Sequence, residues 1–503
     1  MRQSIDHTMS QQAERPTQME KGFLRIKNYI GGEWCDSVSG KSEERKNPAN
    51  VEQIVGYFPA TTRADAQKAI EAASRAFPDW RRTPAPQRSR LLKKALAIME
   101  ANLEKFATDL TLEQGKPLRE ARSEIARALE EADFVVGEGS RVEGQRLASA
   151  RAATVCYTTR EPLGVISAIV PWNYPFIAAM RKVAPALVFG NTIVLKPAEW
   201  TPFSGANLVN SFAQACLPAG VLNFVTGPGP SVGAELAENP LVRGVSFTGS
   251  TAVGKSVARA AAENNAKIQL EMGGKNPAVV FEGADLRKAA TEITAAALLC
   301  SGQRCTSISR VIAQQTLAKD LVGLLEAEMD KIVVGNGIDD QTTMGPLVSE
   351  THLNRVLGYV RRGIEEGATL VRGGKRLSGD RYDKGFFMEP TLFSHVKPAS
   401  TLAREEVFGP VLSVIEFGDF DEALEIANSV AYGLAACAYT PRIDQALAFV
   451  DRIQAGMTQV NMPTYCDPHA PFGGVKDSGQ GAFSVGHSNI EFFTNVKAVY
   501  LQG

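Results

Sequence analysis

The chain has 503 residues, 44% apolar and 22% charged, a balance that fits an ordinary globular protein but too much chain for one simple core, so two or three domains are expected. With 54 basic against 55 acidic residues the net charge is −1, which excludes a nucleic-acid footprint or a basic membrane-surface patch as the organising feature. No apolar run approaches bilayer-spanning length, and seven scattered cysteines without CxxC, HxH or HExxH spacing read as free thiols of a cytoplasmic protein with no evident metal ligands.

The first 22 residues are polar and of mixed charge, lack the apolar stretch of a secretory signal, and are expected to form a flexible extension. Between 62 and 136, apolar residues recur at three- and four-residue steps. That spacing predicts helices in ADAQKAIEAASRAF, RSRLLKKALAIMEANLEKFATDL and the charged LREARSEIARALEEADFVV. From Pro162 short apolar runs alternate with helices: VISAIV (165–170), TIVLK (192–196), VLNFVTG (221–227) and RGVSFTG (243–249). Repeated strand–helix units imply a parallel sheet with right-handed crossovers. A second α/β block begins near Asn276 with PAVVF, a helix around 284–298, a cysteine loop, ISRVIAQ and a helix around 317–331; PVLSVIEF and LAACAYT follow, each leading into a helix. The tail IEFFTNVKAVYL reads as a strand that pairs outside its own domain.

Several polar or glycine-rich stretches sit at the ends of these strands, where open α/β sheets bind ligands. FTGSTAVGK (247–255) runs strand, glycine turn, helix N-terminus, a ready phosphate site. TGPGPSVG supplies Gly227, Gly229 and Gly233 in a GxGxxxG spacing, by itself no more than a punctuated turn. KPAEWTP places Lys196 and Glu199 after a strand, as ribose partners or as a solvated helix-capping pair. PWNYP holds Asn173 in a proline-bounded loop, able to donate to an oxyanion or merely to shape a turn. LEMGGKNP puts Glu271 before two glycines, as a general base or as a backbone cap. SGQRCTS offers Cys305 as a nucleophile, and nothing local decides it.

PWNYP, KPAEWTP, FTGS, LEMGGKNP, GQRC, EEVFGPV and PFGGVKDSG occur in the order found in aldehyde dehydrogenases, and the chain resembles that superfamily from about Ile30 to its end. The resemblance implies an α/β fold with a Rossmann-like cofactor domain (23–139 and 161–272), a second α/β catalytic domain (273–481), and a small β oligomerisation arm with a tail strand (140–160 and 482–503). It implies a homodimer or homotetramer acting on a small-molecule aldehyde with NAD, or NADP, as acceptor. In that likeness Cys305 attacks the carbonyl, Asn173 and the Cys305 N–H hold the oxyanion, and Glu271 activates the water that cleaves the thioester. Lys196 and Glu199 map to the adenosine ribose, with Gly229 and Gly233 in the altered glycine turn. Ser250, with Trp172 nearby, maps to the pyrophosphate, Thr248 and Gly249 flank the nicotinamide, and Glu406 with Phe408 maps to its ribose.

Of the five histidines none lies inside a matched motif, and Cys300 reads as a small loop residue. Arg181 and Arg304 match funnel positions that carry arginine in semialdehyde enzymes, which favours an anionic substrate such as 2,5-dioxovalerate or succinate semialdehyde. Tyr174, Tyr465 and His469 map to the remaining pocket wall. A second arginine typical of succinate semialdehyde enzymes is Leu299 here, and Arg181 paired with a structural carboxylate is the plainer alternative. A neutral or aromatic aldehyde (lactaldehyde, betaine aldehyde or benzaldehyde type), a CoA-acylating relative and a non-catalytic copy are the other readings; the presence of Glu271, Cys305 and Asn173 weighs against the last two.

Overall fold

The computed structural model describes residues 17–20 and 23–503; the expectation for residues 1–16 and 21–22 lies outside the described residues. The strand–helix alternation folds into two mainly parallel sheets. The first has eight strands in the spatial order Gly479–Gln480, Lys267–Glu271, Val242–Thr248, Val165–Ile169, Thr192–Lys196, Leu222–Phe224, Asn28–Ile30 and Glu33–Cys35. Its five central strands are parallel and buried on both faces, as their continuous apolar runs require. Chain order reverses beside Val165–Ile169, so the segment after that strand and the one after Val242–Thr248 share a crevice.

The second sheet has seven strands, ordered Thr369–Arg372, Thr391–Ser394, Val411–Phe417, Ile308–Gln314, Asn276–Val280, Ala435–Tyr439 and Met457–Val460, antiparallel only at the Thr369–Arg372 edge. Only residues 272–275 separate strand Lys267–Glu271 of the first sheet from Asn276–Val280 in the second. The carboxyl ends of one sheet therefore abut the amino ends of the other. The cysteine loop and Glu406 thus approach the junction from the amino ends of strands Ile308–Gln314 and Val411–Phe417, not from carboxyl ends as the strand-end rule anticipates. Strand Gly479–Gln480 returns to the first sheet and pairs with Leu270 and Glu271, tying the second block to the first.

Two features were not expected from local pattern. Thr17–Glu20 and Phe23–Ile26 are strands that join Ser42–Asn47 and Asn50–Pro59 in a four-stranded sheet, and Asn28–Ile30 and Glu33–Cys35 are two further strands. The start of the tail is a helix, Asn489–Phe493, because Ile490, Phe492 and Phe493 are all buried and a strand would turn one of the adjacent phenylalanines outward. The rest, Thr494–Gln502, pairs antiparallel with Thr154–Pro162 along its whole length, and Arg146–Leu147 completes a three-stranded sheet. No helix among the described residues is long and apolar enough to cross a membrane.

Next to the junction, Cys300, Ser301 and Gly302 are left-handed in succession (φ 53°, 57° and 70°). Neighbours hold this unfavourable run in place. The Cys300 N–H donates to Glu120 Oε2 (2.8 Å), the Ser301 hydroxyl to Gly345 O (2.8 Å), and Gln303 Nε2 to Cys300 O (3.0 Å). A Cβ on Gly302 would lie 2.1 Å from Gly409 O. Gly302→Ala is expected to destabilise the fold by about 2–4 kcal/mol, because strain and overlap add; a thermal midpoint within a degree or so of wild type would contradict the packing described.

Candidate active site

The 272–275 link brings three loops together because it contains two glycines. A Cβ on Gly273 would lie 2.2 Å from Glu406 Oε2, and one on Gly274 would lie 2.6 Å from Cys305 O. Only hydrogen fits at either place. The Gly274 N–H donates to Glu406 Oε1 (2.9 Å), and Asn276 Nδ2 donates to Cys305 O (2.8 Å). The Cys305 loop, the Glu271 strand end and Glu406 are thus fixed by short bonds between backbone and side-chain groups.

The groups gathered there are withdrawn from water, which controls their ionisation. Burial pushes the Cys305 thiol up to about 11; Arg304 and Arg181 pull it down, while Glu406 and Glu271 oppose them. Burial likewise raises the Glu271 carboxyl to about 8, against Lys182 and Arg181, and its Oε2 has no hydrogen-bond partner. Burial lowers Lys182 to about 7, and its Nζ donates to Ser246 Oγ (3.0 Å), which donates to Gln269 Oε1 (2.8 Å). The opposed shifts leave Glu271 and Lys182 both able to exchange a proton near neutrality. Asn173 is 5% exposed, and its Nδ2 donates to Gln303 O (2.9 Å), two residues from Cys305.

A second set of residues lies along the crevice of the first sheet. The Gly229 N–H donates to Glu199 Oε1 (2.9 Å), and buried Lys196 reaches the same oxygen at 3.5 Å. A Cβ on Gly229 would meet nothing within 4 Å, and one on Gly233 would come no nearer than 3.9 Å to Lys196, so a shallow cradle opens beside Glu199. Thr248 ends its strand, and the Gly249 N–H donates to Glu271 O (3.1 Å). Ser250 caps helix Thr251–Glu263 without a side-chain bond, leaving first-turn N–H groups directed at the crevice. Trp172 meets Phe408 and His352 edge-on, each at 5.5 Å.

His352, which no matched motif contains, is a resident of this wall. Its Nε2 lies 2.8 Å from Phe408 O, and burial lowers its pKa to about 4, so the ring is neutral. Burial raises Glu406 to about 7 despite the Gly274 N–H. These features fit a dinucleotide: an acceptor and a lysine for a ribose, a helix N-terminus for phosphates, and Glu406 for a second ribose.

Around the mouth the five expected wall residues have partners of their own. Arg181 does not stand free: Nε and Nη2 donate to both oxygens of Glu131 (2.7 and 2.8 Å), and its guanidinium lies 4.2 Å from the Phe472 ring centroid. Glu131, on helix Leu118–Glu138, also pairs with Arg127 (3.3 Å), which donates to Tyr465 Oη (3.1 Å). The carboxylate partner weighed as the plain alternative is therefore real, and no spacing in the chain announces it. Arg304 has a single contact, to Thr464 O at 3.3 Å, and no carboxylate within salt-bridge distance among the described residues. Tyr174 packs under Lys116, and the exposed His469 lies 6.1 Å from Phe134. Cys466 packs against the same small apolar cluster as Cys305.

Comparison with known proteins agrees with this layout. A profile described as the Aldehyde dehydrogenase family matches residues 34–499. The chain is 41% identical to an alpha-ketoglutaric semialdehyde dehydrogenase of Bacillus subtilis (strain 168), over 94% of this chain and 98% of that one. It resembles the crystal structure of an NAD-dependent aldehyde dehydrogenase from Sinorhizobium meliloti with a TM-score of 0.93 at 36% identity, covering 95% of each chain. A betaine aldehyde dehydrogenase from Staphylococcus aureus, solved in complex with NAD+, matches with a TM-score of 0.93 at 32% identity, covering 95% of this chain and 94% of that one.

The ionisation pattern sets a pH test. A thiol raised to about 11 is mostly protonated at neutral pH, so alkylation of Cys305 by iodoacetamide should keep accelerating past pH 9 instead of levelling off. Arg304→Leu removes the largest opposing influence and should slow that alkylation at any fixed pH. A plateau near pH 8, or no change in the variant, would contradict the burial of this thiol.

Proposed function

The chain belongs to the aldehyde dehydrogenase family, whose members oxidise aldehydes, and on that premise we propose that it converts an anionic semialdehyde to the diacid through a thioester on Cys305, with NAD as acceptor. The observation that carries this reading is the meeting of the Cys305 thiol with Arg304, Arg181, Glu406 and Glu271 at the junction of the two sheets.

In this reading the thiolate form of Cys305, its proton given up to solvent, attacks the aldehyde carbon. Asn173 Nδ2 and the Cys305 N–H hold the resulting oxyanion, Asn173 turning from Gln303 O to do so. A dinucleotide bound along the crevice supplies the acceptor for the hydride that leaves the same carbon. Glu271 then draws a proton from the water that cleaves the thioester and frees the acid. Lys196 and Glu199 hold the adenosine ribose, Gly229 and Gly233 admit the backbone close to it, Ser250 and Trp172 meet the pyrophosphate, and Thr248, Gly249, Glu406 and Phe408 enclose the nicotinamide end. The tie from Gly229 to Glu199 supports NAD over NADP, because it keeps a carboxylate where a 2′-phosphate would sit.

For the substrate, Arg304 is the cation best placed to receive a carboxylate, with the Arg181–Glu131 pair forming the opposite wall beside Tyr174, Tyr465 and His469. The semialdehyde relative at 41% identity supports 2,5-dioxovalerate, with succinate semialdehyde as the shorter candidate. A homo-oligomer, dimer or tetramer, also fits. The outer edge of Thr494–Gln502 has no strand partner among the described residues, and Val496, Tyr500 and Leu501 on it are 58%, 67% and 54% exposed. The expected domain limits, cofactor unit to 272 and catalytic unit from 273, fall inside the 272–275 link.

Two experiments test this assignment. Glu271→Gln should give a normal first burst of NADH followed by a steady state at least about a hundredfold slower, since only water activation is lost; loss of the burst as well would move Glu271 into the acylation step. Arg304→Gln should cost about 10- to 100-fold more in kcat/KM on 2,5-dioxovalerate than on a neutral aldehyde of equal length. Equal losses on the two would sink the anionic-substrate reading, since the effect on the thiol is common to both.

A further inference from the structure

Beneath the oxyanion loop lies a group of buried charges that the mechanism above does not use. Residues 114–124 join helix Leu103–Gln114 to helix Leu118–Glu138. Lys116 and Glu124 have fully buried side chains and form an ion pair of 2.6 Å. Lys116 Nζ also donates to the Asn173 carbonyl at 2.6 Å and sits 3.8 Å over the Tyr174 ring. Glu124 Oε1 accepts the N–H groups of Phe176 (2.9 Å) and Ile177 (3.2 Å), the opening turn of helix Pro175–Val188.

The same short segment grips the nucleophile loop. Gln114 Oε1 accepts the Lys116 N–H (2.9 Å) while its Nε2 donates to Cys300 Sγ (3.3 Å). Glu120 Oε2 accepts the Cys300 N–H (2.8 Å), and the Cys300 thiol donates to Asn173 O (3.6 Å). Both loops that would form the oxyanion site, 173–177 and 299–305, are therefore moored to one buried segment.

We propose that Lys116 and Glu124 are positioning residues for the oxyanion site, fixing the peptide planes on either side of Tyr174 so that the Asn173 amide faces the loop of Cys305. This rests on the assignment of Asn173 as oxyanion donor. A buried ion pair is a poor source of net stability, because desolvation consumes most of its attraction, whereas its geometry is exacting. Here each partner spends its remaining hydrogen bonds on the backbone of a single loop. Rotation of the 173–174 peptide would strip Lys116 of an acceptor with no water to replace it, so the loop has one low-energy arrangement. With the backbone held in this way, only the Asn173 side chain has to turn when charge develops on the substrate oxygen.

The test compares two reactions of Cys305. Acylation by p-nitrophenyl acetate forms a tetrahedral oxyanion and releases p-nitrophenol; alkylation by iodoacetamide displaces iodide and forms none. In Lys116→Met, acylation should fall about 10- to 100-fold while alkylation stays within about threefold of wild type. Glu124→Gln keeps the shape and an acceptor for Phe176 and should show the same split at roughly tenfold. Asn173→Ala, measured alongside, should lose acylation at least as severely. If Asn173→Ala retains acylation, the oxyanion assignment itself is wrong. If Asn173→Ala is crippled but the other two variants acylate normally, the positioning role falls alone. Parallel loss of both reactions, or failure of both variants to fold, would make the pair a stability element and overturn the proposal.

Discussion

The continuity of the chain from strand Lys267–Glu271 through residues 272–275 into strand Asn276–Val280 is the constraint on which the rest depends. With so short a link, two sheets must meet end to end, and the groups placed at their junction lose part or all of their water, Cys305 and Glu406 remaining half-buried. Desolvation then acts on each group by its charge type: the acids and the thiol rise, and the lysines fall. Arginine cannot release its proton, so Arg181 and Arg304 are the permanent positive charges of the site. The glycines at 273 and 274 are the steric counterpart, since any side chain there would push Glu406 or the cysteine loop away. Chemistry and connectivity share one cause.

Much of this was readable along the chain because the groups involved stand at the ends of strongly patterned strands. Cys305, Glu271 and Asn173 are each flanked by glycine, proline or a polar turn, signals that decide nothing singly but carry the family resemblance when taken in order along the chain. The acidic helix Leu118–Glu138 shows the opposite case. Its charge pattern reads as a solvated face, yet Glu120, Glu124 and Glu131 are buried. Besides the nearby Lys116 and Arg127, their partners are backbone amides or an arginine between 50 and 180 positions away. No local periodicity records such pairings.

Arg181 illustrates how a matched position can carry a changed environment. Its place after the Asn173 loop suits a substrate anchor, but its guanidinium is already met face to face by Glu131. That carboxylate is shared with Arg127, whose other bond reaches Tyr465, so the mouth behaves as one hydrogen-bonded frame rather than as separate contacts. His352 was hidden for a different reason: its helix, Glu350–Glu365, starts far from the motifs, and only the folded chain sets the ring against Trp172.

The pairing of Thr494–Gln502 with Thr154–Pro162 also bears on how the protein is made. The earlier strand leaves the ribosome roughly 330 residues before its partner, which at ordinary synthesis rates is a wait on the order of tens of seconds. Throughout that interval its full row of backbone amides and carbonyls faces solvent or a chaperone, with only Arg146–Leu147 to cover part of one side. Strand Gly479–Gln480 delays completion of the first sheet in the same way. A nascent chain stalled after the second block would therefore hold most of its catalytic groups yet remain adhesive, and premature termination near the end should yield aggregates rather than a slightly shortened enzyme.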